Sequence, residues 1–115
     1  MKQLADQTFL DEHERDILTQ CKQIVKAVDL TAEVILYGSR ARGDAAEDSD
    51  YDLLILTDGM VNLQKEDLFR RRLYPIELET GAVLTVFLIA RSDWDSPVYQ
   101  AMPFRQNVIR DGFSL

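Results

Sequence analysis

The chain has 115 residues, of which 46% are hydrophobic, and this length suits one domain with a core of modest depth. Its 13 basic and 20 acidic residues give a formal charge of −7, the wrong sign for binding along a nucleic-acid backbone. The single cysteine, Cys21, excludes an intrachain disulfide and a cysteine-based zinc site. We therefore expect one domain over residues 1–115 that is not a general nucleic-acid binder.

The N-terminus lacks the apolar stretch of a signal peptide, and no apolar run approaches the roughly 20 residues that a membrane span requires. These features and the cysteine content predict a cytoplasmic protein with no membrane association. Because so small a domain buries a limited fraction of its surface, we also expect it to pair with another chain, either a second copy or a different protein.

The first half of the chain predicts alternating helices and strands. Apolar residues recur at helical spacing over residues 10–28, where acidic residues crowd the start and so suit the positive end of a helix dipole. The β-branched and aromatic run 34–37 predicts a buried strand that ends in a tight turn at Gly38. Residues 39–46 then predict about two turns of helix, and residues 50–56 predict a second strand covered on both faces.

The second half continues the alternation. Residues 61–80 have helical spacing, and Gly81 is a natural stop. Pro75 lies inside this stretch, so we expect a kink or the start of a second helical piece there, unless residues 76–87 form a hairpin. The continuous apolar run 83–89 predicts the third strand.

After the third strand, Pro97 and Pro103 are expected to break the chain. A short helix is predicted around residues 104–110, with Gly112 as its stop. The same region is rich in large apolar side chains, which predict either a lid on the core or a surface for a partner. These side chains are Trp94, Tyr99, Met102 and Phe104.

The turn at Gly38 and Ser39 joins a strand to the beginning of a helix. Unpaired backbone N–H groups and the positive end of the helix dipole favour an anion at such a point, and the Ser39 hydroxyl adds a donor. A phosphate group fits this chemistry. A Gly-Ser turn alone is weak evidence, because such a turn more commonly serves as a plain helix cap.

The sequence Asp50-Tyr51-Asp52 strengthens the case, because residues two apart on a strand share a face. Two carboxylates on one face can bind Mg²⁺ that also bridges triphosphate oxygens. The neighbouring acids Asp44, Glu47 and Asp48 are predicted to be solvated.

Residues 38–43 (GSRARG) and 49–53 (SDYDL) together resemble the signature of the DNA polymerase beta-like nucleotidyltransferases. In minimal bacterial and archaeal members of that family the pattern is close to GSxARG, a short acidic spacer, then SDxDL. The resemblance implies an α/β fold (α+β, two-layer) with the order helix-strand-helix-strand-helix-strand and a small mixed sheet.

The same resemblance implies the site residues and the cofactor. Gly38 and Ser39 would contact the triphosphate, Arg40 and Arg42 would steer phosphate, and the two aspartates would ligate Mg²⁺ or Mn²⁺. The catalytic and metal-binding residues it implies are Asp50 and Asp52, and the substrate it implies is a nucleoside triphosphate.

One feature departs from that family, whose active members supply a third carboxylate from the next strand. Here that strand reads VLTVFLI, and Thr85 and Phe87 occupy the positions where the acid is expected. Nearby acids that could substitute for it lie outside the strand. They are Glu77, Glu79, Asp93 and Asp95.

Two functions therefore remain open at this stage. The first is an enzyme that transfers a nucleoside monophosphate from a Mg-bound triphosphate to a hydroxyl of a protein or a small molecule. The second is a catalytically weakened, nucleotide-binding antitoxin-like module. Its resemblance to antitoxins of operon pairs implies a helical, HEPN-type toxin as its partner.

Overall fold

The computed structural model describes residues 1–115, in which helices and strands alternate along most of the chain. The strands are β1 (Lys2–Gln3), β2 (Glu33–Tyr37), β3 (Tyr51–Thr57), β4 (Leu84–Ala90) and β5 (Phe113–Ser114). The helices are α1 (Glu12–Val28), α2 (Ser39–Arg42), α3 (Leu63–Thr80), α4 (Arg91–Trp94), α5 (Pro97–Gln100) and α6 (Pro103–Asp111). The predicted succession of helix and strand is confirmed from α1 to β4.

The five strands form one mixed sheet in the order β1-β5-β2-β3-β4. The expected mixed sheet is confirmed, whereas the short strands β1 and β5 were not predicted. Strand β3 runs antiparallel to β2 and parallel to β4. In this register Asp52 lies beside Tyr37 on one side and beside Thr85 on the other. The C-terminal end of β2 and the N-terminal ends of β3 and β4 therefore meet at one end of the sheet.

Strand β3 is covered on both faces, as its unbroken apolar sequence predicts. Leu53 and Ile55 belong to the larger core, which also contains buried residues of α1 and α3. Leu54 and Leu56 point the other way and pack with Trp94 of α4 and Val108 of α6. The second cluster is the smaller one, so α4 to α6 act as a partial cover on that face. The lid interpretation of the aromatic segment is confirmed for Trp94, which is almost fully buried.

Helix α1 begins two residues later than predicted because Asp11 caps it. The Asp11 carboxylate accepts a hydrogen bond from the Glu14 backbone N–H (2.8 Å), and the Glu14 carboxylate accepts one from the Asp11 backbone N–H (3.2 Å). This reciprocal pair satisfies two N–H groups that the first helical turn leaves without partners.

Helix α2 is shorter than the predicted 39–46, because Gly43 adopts a left-handed conformation (φ 81°) and ends it at Arg42. No second helical piece begins at Pro75, since α3 runs through it to Thr80. Phe69, Leu73 and Ile76 form a buried stripe across the proline, and their packing holds both halves in one helix. The hairpin alternative over 76–87 is excluded by the same helix.

Pro97 and Pro103 begin helices rather than break the chain. Each occupies the first helical turn, where the missing N–H costs nothing because it would have no acceptor. The predicted helix around 104–110 is confirmed as α6, and Gly112 follows its last residue. None of the helices combines the length and the apolar character required to cross a lipid bilayer.

Candidate active site

The turn between β2 and α2 brings Gly38 against the side chain of Asp52. Gly38 has φ 75° and ψ −158°, a conformation that side-chain-bearing residues rarely adopt. A Cβ atom added to Gly38 would lie 2.2 Å from Oδ2 of Asp52. Only glycine therefore allows the Asp52 carboxylate to rest on this turn, which confirms that the glycine turn and this aspartate meet in one place.

Asp52 is fixed from the other side by Thr85. The Thr85 hydroxyl donates a hydrogen bond of 2.7 Å to Oδ1 of Asp52. Tyr37 lies opposite Asp52 on β2, and burial, together with the negative charge of Asp52, raises the pKa of Tyr37 to about 12. The Tyr37 hydroxyl is therefore neutral at physiological pH.

Asp50 is exposed and lies just before β3, which begins at Tyr51. Strand alternation therefore places Tyr51 and Asp52 on opposite faces but does not by itself orient Asp50. Tyr51 is buried in the larger core, and Asp52 is on the face of the smaller one. The structure brings Gly38, Thr85 and Asp52 together, and it leaves Asp50 in the adjoining loop, two residues from Asp52.

Ser39 is the first residue of α2. The N–H groups of Ala41 and Arg42 both donate to the Gly38 carbonyl at 3.1 Å, which closes the turn. The earlier N–H groups of Ser39 and Arg40 have no acceptor within the helix, as in the first turn of any helix. These amides follow directly on the glycine against which Asp52 rests.

Arg40 is held by the protein itself. Its guanidinium donates to the backbone carbonyls of Ser49 (2.8 and 3.1 Å) and Glu47 (2.9 Å), and it pairs with the Glu14 carboxylate at 3.1 Å. The guanidinium also stacks on the Tyr51 ring, 4.2 Å from its centre. These contacts give Arg40 a structural role that anchors the loop before β3, so a role in phosphate binding would require some of them to be exchanged.

Arg42, by contrast, is largely exposed. It pairs with Asp44 at 3.1 Å and lies 3.8 Å from Asp111. Both contacts are at the surface, where such pairs contribute little and exchange easily. Of the two arginines, Arg42 is therefore the one whose guanidinium is available to a ligand.

A cavity of about 740 Å³ lies on the other side of the loop before β3. Arg40, Tyr51 and Ile17 line it, whereas Gly38, Ser39, Asp50 and Asp52 do not. Its size is in the range of ligand pockets, but neither the Gly38–Ser39 turn nor either aspartate of the candidate site contributes to it. The candidate site is instead an open surface on the face that carries Asp52.

The donor set suits a hard divalent cation that keeps other oxygen ligands. No group of three or more Asp, Glu, His or Cys side chains is close enough to hold an ion alone. Mg²⁺ commonly binds through one or two carboxylates together with phosphate oxygens and water. Asp52, whose carboxylate has a single protein donor, fits that arrangement, and Asp50 is the nearest second carboxylate along the chain.

Strand β4 supplies no third carboxylate. In the register Thr85 is the residue beside Asp52, whereas Phe87 lies beside Leu54. Of the two positions that the sequence left open, Thr85 is therefore the one where an acid would complete the site. Its hydrogen bond to Asp52 was not predicted from the sequence, although Thr85 is the one polar side chain within β4.

Nearby acids do not take that place. Oε2 of Glu77 accepts a hydrogen bond from the Leu84 backbone N–H at 3.0 Å. Glu77 is partly buried, and its neighbour Ile76 belongs to the larger core. The remaining candidates are exposed, on α3 or in and after α4. They are Glu79, Asp93 and Asp95.

A family model described as the nucleotidyltransferase domain matches residues 14–111, which include every residue of the candidate site. The chain belongs to the nucleotidyltransferase family. The chain also resembles a solved structure described as a candidate minimal nucleotidyltransferase, with a TM-score of 0.54 and 24% identity. The similarity covers 88% of this chain and 94% of the other, and it shows a shared fold. No curated protein matches the sequence significantly.

Membership of this family suggests a transferase. Members generally use a nucleoside triphosphate and a divalent metal ion, in keeping with the chemistry of the turn and the aspartates.

Proposed function

We propose that this nucleotidyltransferase binds a Mg²⁺–nucleoside triphosphate at the turn and transfers a nucleoside monophosphate to a hydroxyl of a protein or a small molecule. The observation that supports the proposal is the contact between Gly38 and Asp52, because it brings a carboxylate next to the turn whose amides would bind phosphate. We place the reaction in the cytoplasm, in accord with the composition.

In this proposal the backbone N–H groups of Ser39 and Arg40 bind the distal phosphates, because they have no acceptor in α2. Asp50 and Asp52 would hold the divalent ion, and Thr85 keeps the Asp52 carboxylate in one orientation. The ion, Mg²⁺ or Mn²⁺, would neutralise charge on the phosphate oxygens. Arg42 lies on the same short helix and is expected to add positive charge near the phosphates.

The transfer forms a bond between the acceptor oxygen and the α-phosphorus, and it breaks the bond from that phosphorus to the oxygen bridging the β-phosphate. Pyrophosphate leaves, and the acceptor loses its hydroxyl proton. Thr85 cannot accept this proton as a carboxylate would, so the proton passes to solvent or to a base on the acceptor. We therefore expect slow turnover by the isolated chain, since general-base assistance is typically worth about 10² to 10⁴ in rate.

A second candidate function rests on the same threonine. With Thr85 beside Asp52, the site can retain nucleotide binding while catalysis is weakened. The chain would then act as an antitoxin-like module that needs a helical partner of the HEPN type, or a second copy of itself. Incubation with Mg²⁺ and labelled nucleotides, with and without the product of the neighbouring gene, separates the two functions. Transfer by the isolated chain supports the enzyme, and transfer under neither condition supports the binding module.

Binding itself is tested by calorimetry with Mg-ATP. Asp52→Asn and Asp50→Asn should each weaken binding by about 10-fold or more, because each removes a charged oxygen ligand from a hard cation. Asp44→Asn is the matched control: Asp44 is an exposed acid of the same acidic stretch, and its only partner is Arg42. Equal affinities in all three variants would exclude the proposed site.

A further inference from the structure

Phe87 is an exposed aromatic residue beside the candidate site. It lies two residues after Thr85 on β4, so the two side chains share a face of the sheet. Phe87 is 52% exposed, although every other large side chain of the strand is at least partly buried. It therefore presents an apolar surface to whatever occupies the face that carries Asp52.

The ring of Phe87 is held in position by other aromatic rings. Phe104 of α6 packs edge-to-face against it, with ring centres 6.0 Å apart and planes inclined by 74°. Phe104 makes the same kind of contact with Tyr37 (5.4 Å) and with the buried Trp94 (6.2 Å). Because edge-to-face packing uses only part of each ring, Phe87 keeps an open surface while its orientation is set.

The order of strands predicts which part of a bound nucleotide lies near the Phe87 ring. Gly38 follows β2, Asp52 is on β3, and Thr85 and Phe87 are on the edge strand β4. If the distal phosphates lie at the Gly38–Ser39 turn and the α-phosphate lies at Asp52, the nucleoside extends onward toward β4. Adjacent strands lie about 4.8 Å apart and two residues span about 6.6 Å along a strand, so Phe87 is roughly 8 Å from Asp52 and within reach of the base.

We propose that Phe87 stacks on the base of the bound nucleoside triphosphate and that this contact favours purines. The inference rests on the proposed function and assigns a residue to the base, which is the part of the substrate that the turn and the aspartates do not contact. Stacking on an aromatic side chain is a general way to bind a base, and its strength depends on the base stacked. Phe104 is the positioning residue that keeps the Phe87 ring in place.

The test compares Mg-ATP with Mg-tripolyphosphate, which has the phosphates but no base, in binding titrations of the wild type and of Phe87→Leu. Leucine keeps an apolar side chain on β4 but cannot stack. We expect Phe87→Leu to weaken ATP binding by about 5- to 100-fold and to leave tripolyphosphate binding unchanged. Phe87→Trp should retain ATP binding, and the loss in Phe87→Leu should be larger for ATP than for UTP.

Leu78→Ala is the control for the loss of an exposed apolar side chain, because Leu78 is on α3 and 67% exposed. It should bind both ligands as the wild type does, and thermal unfolding of every variant checks that the fold is retained. Unchanged ATP affinity in Phe87→Leu overturns the stacking role and leaves the proposed function standing. Failure of the wild type to bind either ligand would overturn the proposed function itself.

Discussion

Two partly buried aspartates lie near opposite ends of β3, and the number of donors around each carboxylate distinguishes them. At the C-terminal end, Asp29 accepts hydrogen bonds from the backbone N–H (2.9 Å) and hydroxyl (2.7 Å) of Thr31 and from Lys65 Nζ (2.7 Å). It also accepts one from the hydroxyl of Thr57, the last residue of β3. These bonds join α1, β3 and α3, and they leave Asp29 little capacity for a ligand.

At the N-terminal end, Asp52 accepts one hydrogen bond, from Thr85. Its second oxygen lies against Gly38, whose lack of a side chain leaves room there. A partly buried carboxylate with so few protein donors is costly unless water, a cation or another ligand completes its shell. The comparison indicates that Asp29 is a structural residue and that Asp52 is available to a ligand.

The sharpest way to test this difference is to add the missing acid beside Asp52. Thr85→Asp places a second carboxylate next to it in the register, so divalent ions should bind more tightly and the acceptor gains a base. We expect transfer to rise by about 10² to 10⁴ if an absent base limits it. Without Mg²⁺ the paired charges should lower the melting temperature, and Mg²⁺ should restore it.

Phe87→Asp is the matched variant, because it adds the same charge to the same face but beside Leu54. Because Phe87 itself is proposed to contact the base, the two variants are compared by Mg²⁺-dependent binding of tripolyphosphate, which Phe87→Asp should not tighten. Equal gains from the two variants would mean that a carboxylate anywhere on this part of β4 suffices, and that the register does not define the site.

The second test fills the space beside Asp52. In Gly38→Ala the new Cβ would meet the Asp52 carboxylate, and Asp52 or the turn must move. A shift of about 1 Å in a site can lower the rate roughly 10²-fold, so transfer should fall by about that factor. Because the displaced Asp52 carboxylate is a proposed metal ligand, Mg-ATP binding measured by calorimetry should weaken as well.

Gly81→Ala provides the control, since Gly81 has the same φ of 75° but nothing within 4 Å of an added Cβ. It should cost about 1 kcal/mol in stability through backbone strain and leave nucleotide binding intact. If both variants lost binding equally, strain and not contact with Asp52 would be responsible.

Much of this site could be predicted from local sequence, because its parts are near one another in the chain. Residues 38–52 contain the turn and both aspartates, and the order of strand, turn and helix was confirmed. The strand register could not be predicted, since it depends on how β4 pairs with β3 across more than 30 intervening residues. Only the structure distinguishes Thr85 from Phe87 as the neighbour of Asp52.

The structural role of Arg40, which anchors the loop before β3, could not be predicted for the same reason. Its partner Glu14 lies on α1, 26 residues earlier, and nothing near Arg40 in the sequence indicates that pair. The sequence left the course of the chain after Pro75 open, and tertiary packing decides it in favour of one helix.

The last test concerns the other end of β3. Asp29→Asn keeps the shape of the side chain but removes the charge that Lys65 faces at 2.7 Å. Hydrogen bonds to charged groups contribute about 1.5 to 3 kcal/mol, so we expect the free energy of unfolding to fall by about 2 kcal/mol. Nucleotide affinity should not change. Asp67→Asn, which removes an exposed acid of α3, should alter stability by less than about 0.5 kcal/mol.

The pH dependence of the stability lost in Asp29→Asn shows whether the charge of Asp29 is its cause. Burial alone would raise the pKa of Asp29, but hydrogen bonds from Lys65, Thr57 and Thr31 outweigh it and hold that pKa below its usual range. A carboxyl with a lowered pKa stabilises the fold fully above its unfolded pKa of about 3.9, and this contribution is lost as the pH falls toward the folded value. The stability gap between the wild type and Asp29→Asn should therefore be constant from pH 7 to about pH 5 and shrink below about pH 4. Urea unfolding at a series of pH values measures the gap. A gap that persists unchanged into strong acid would show that the asparagine disturbs packing, and that the charge of Asp29 is not what stabilises this end of β3.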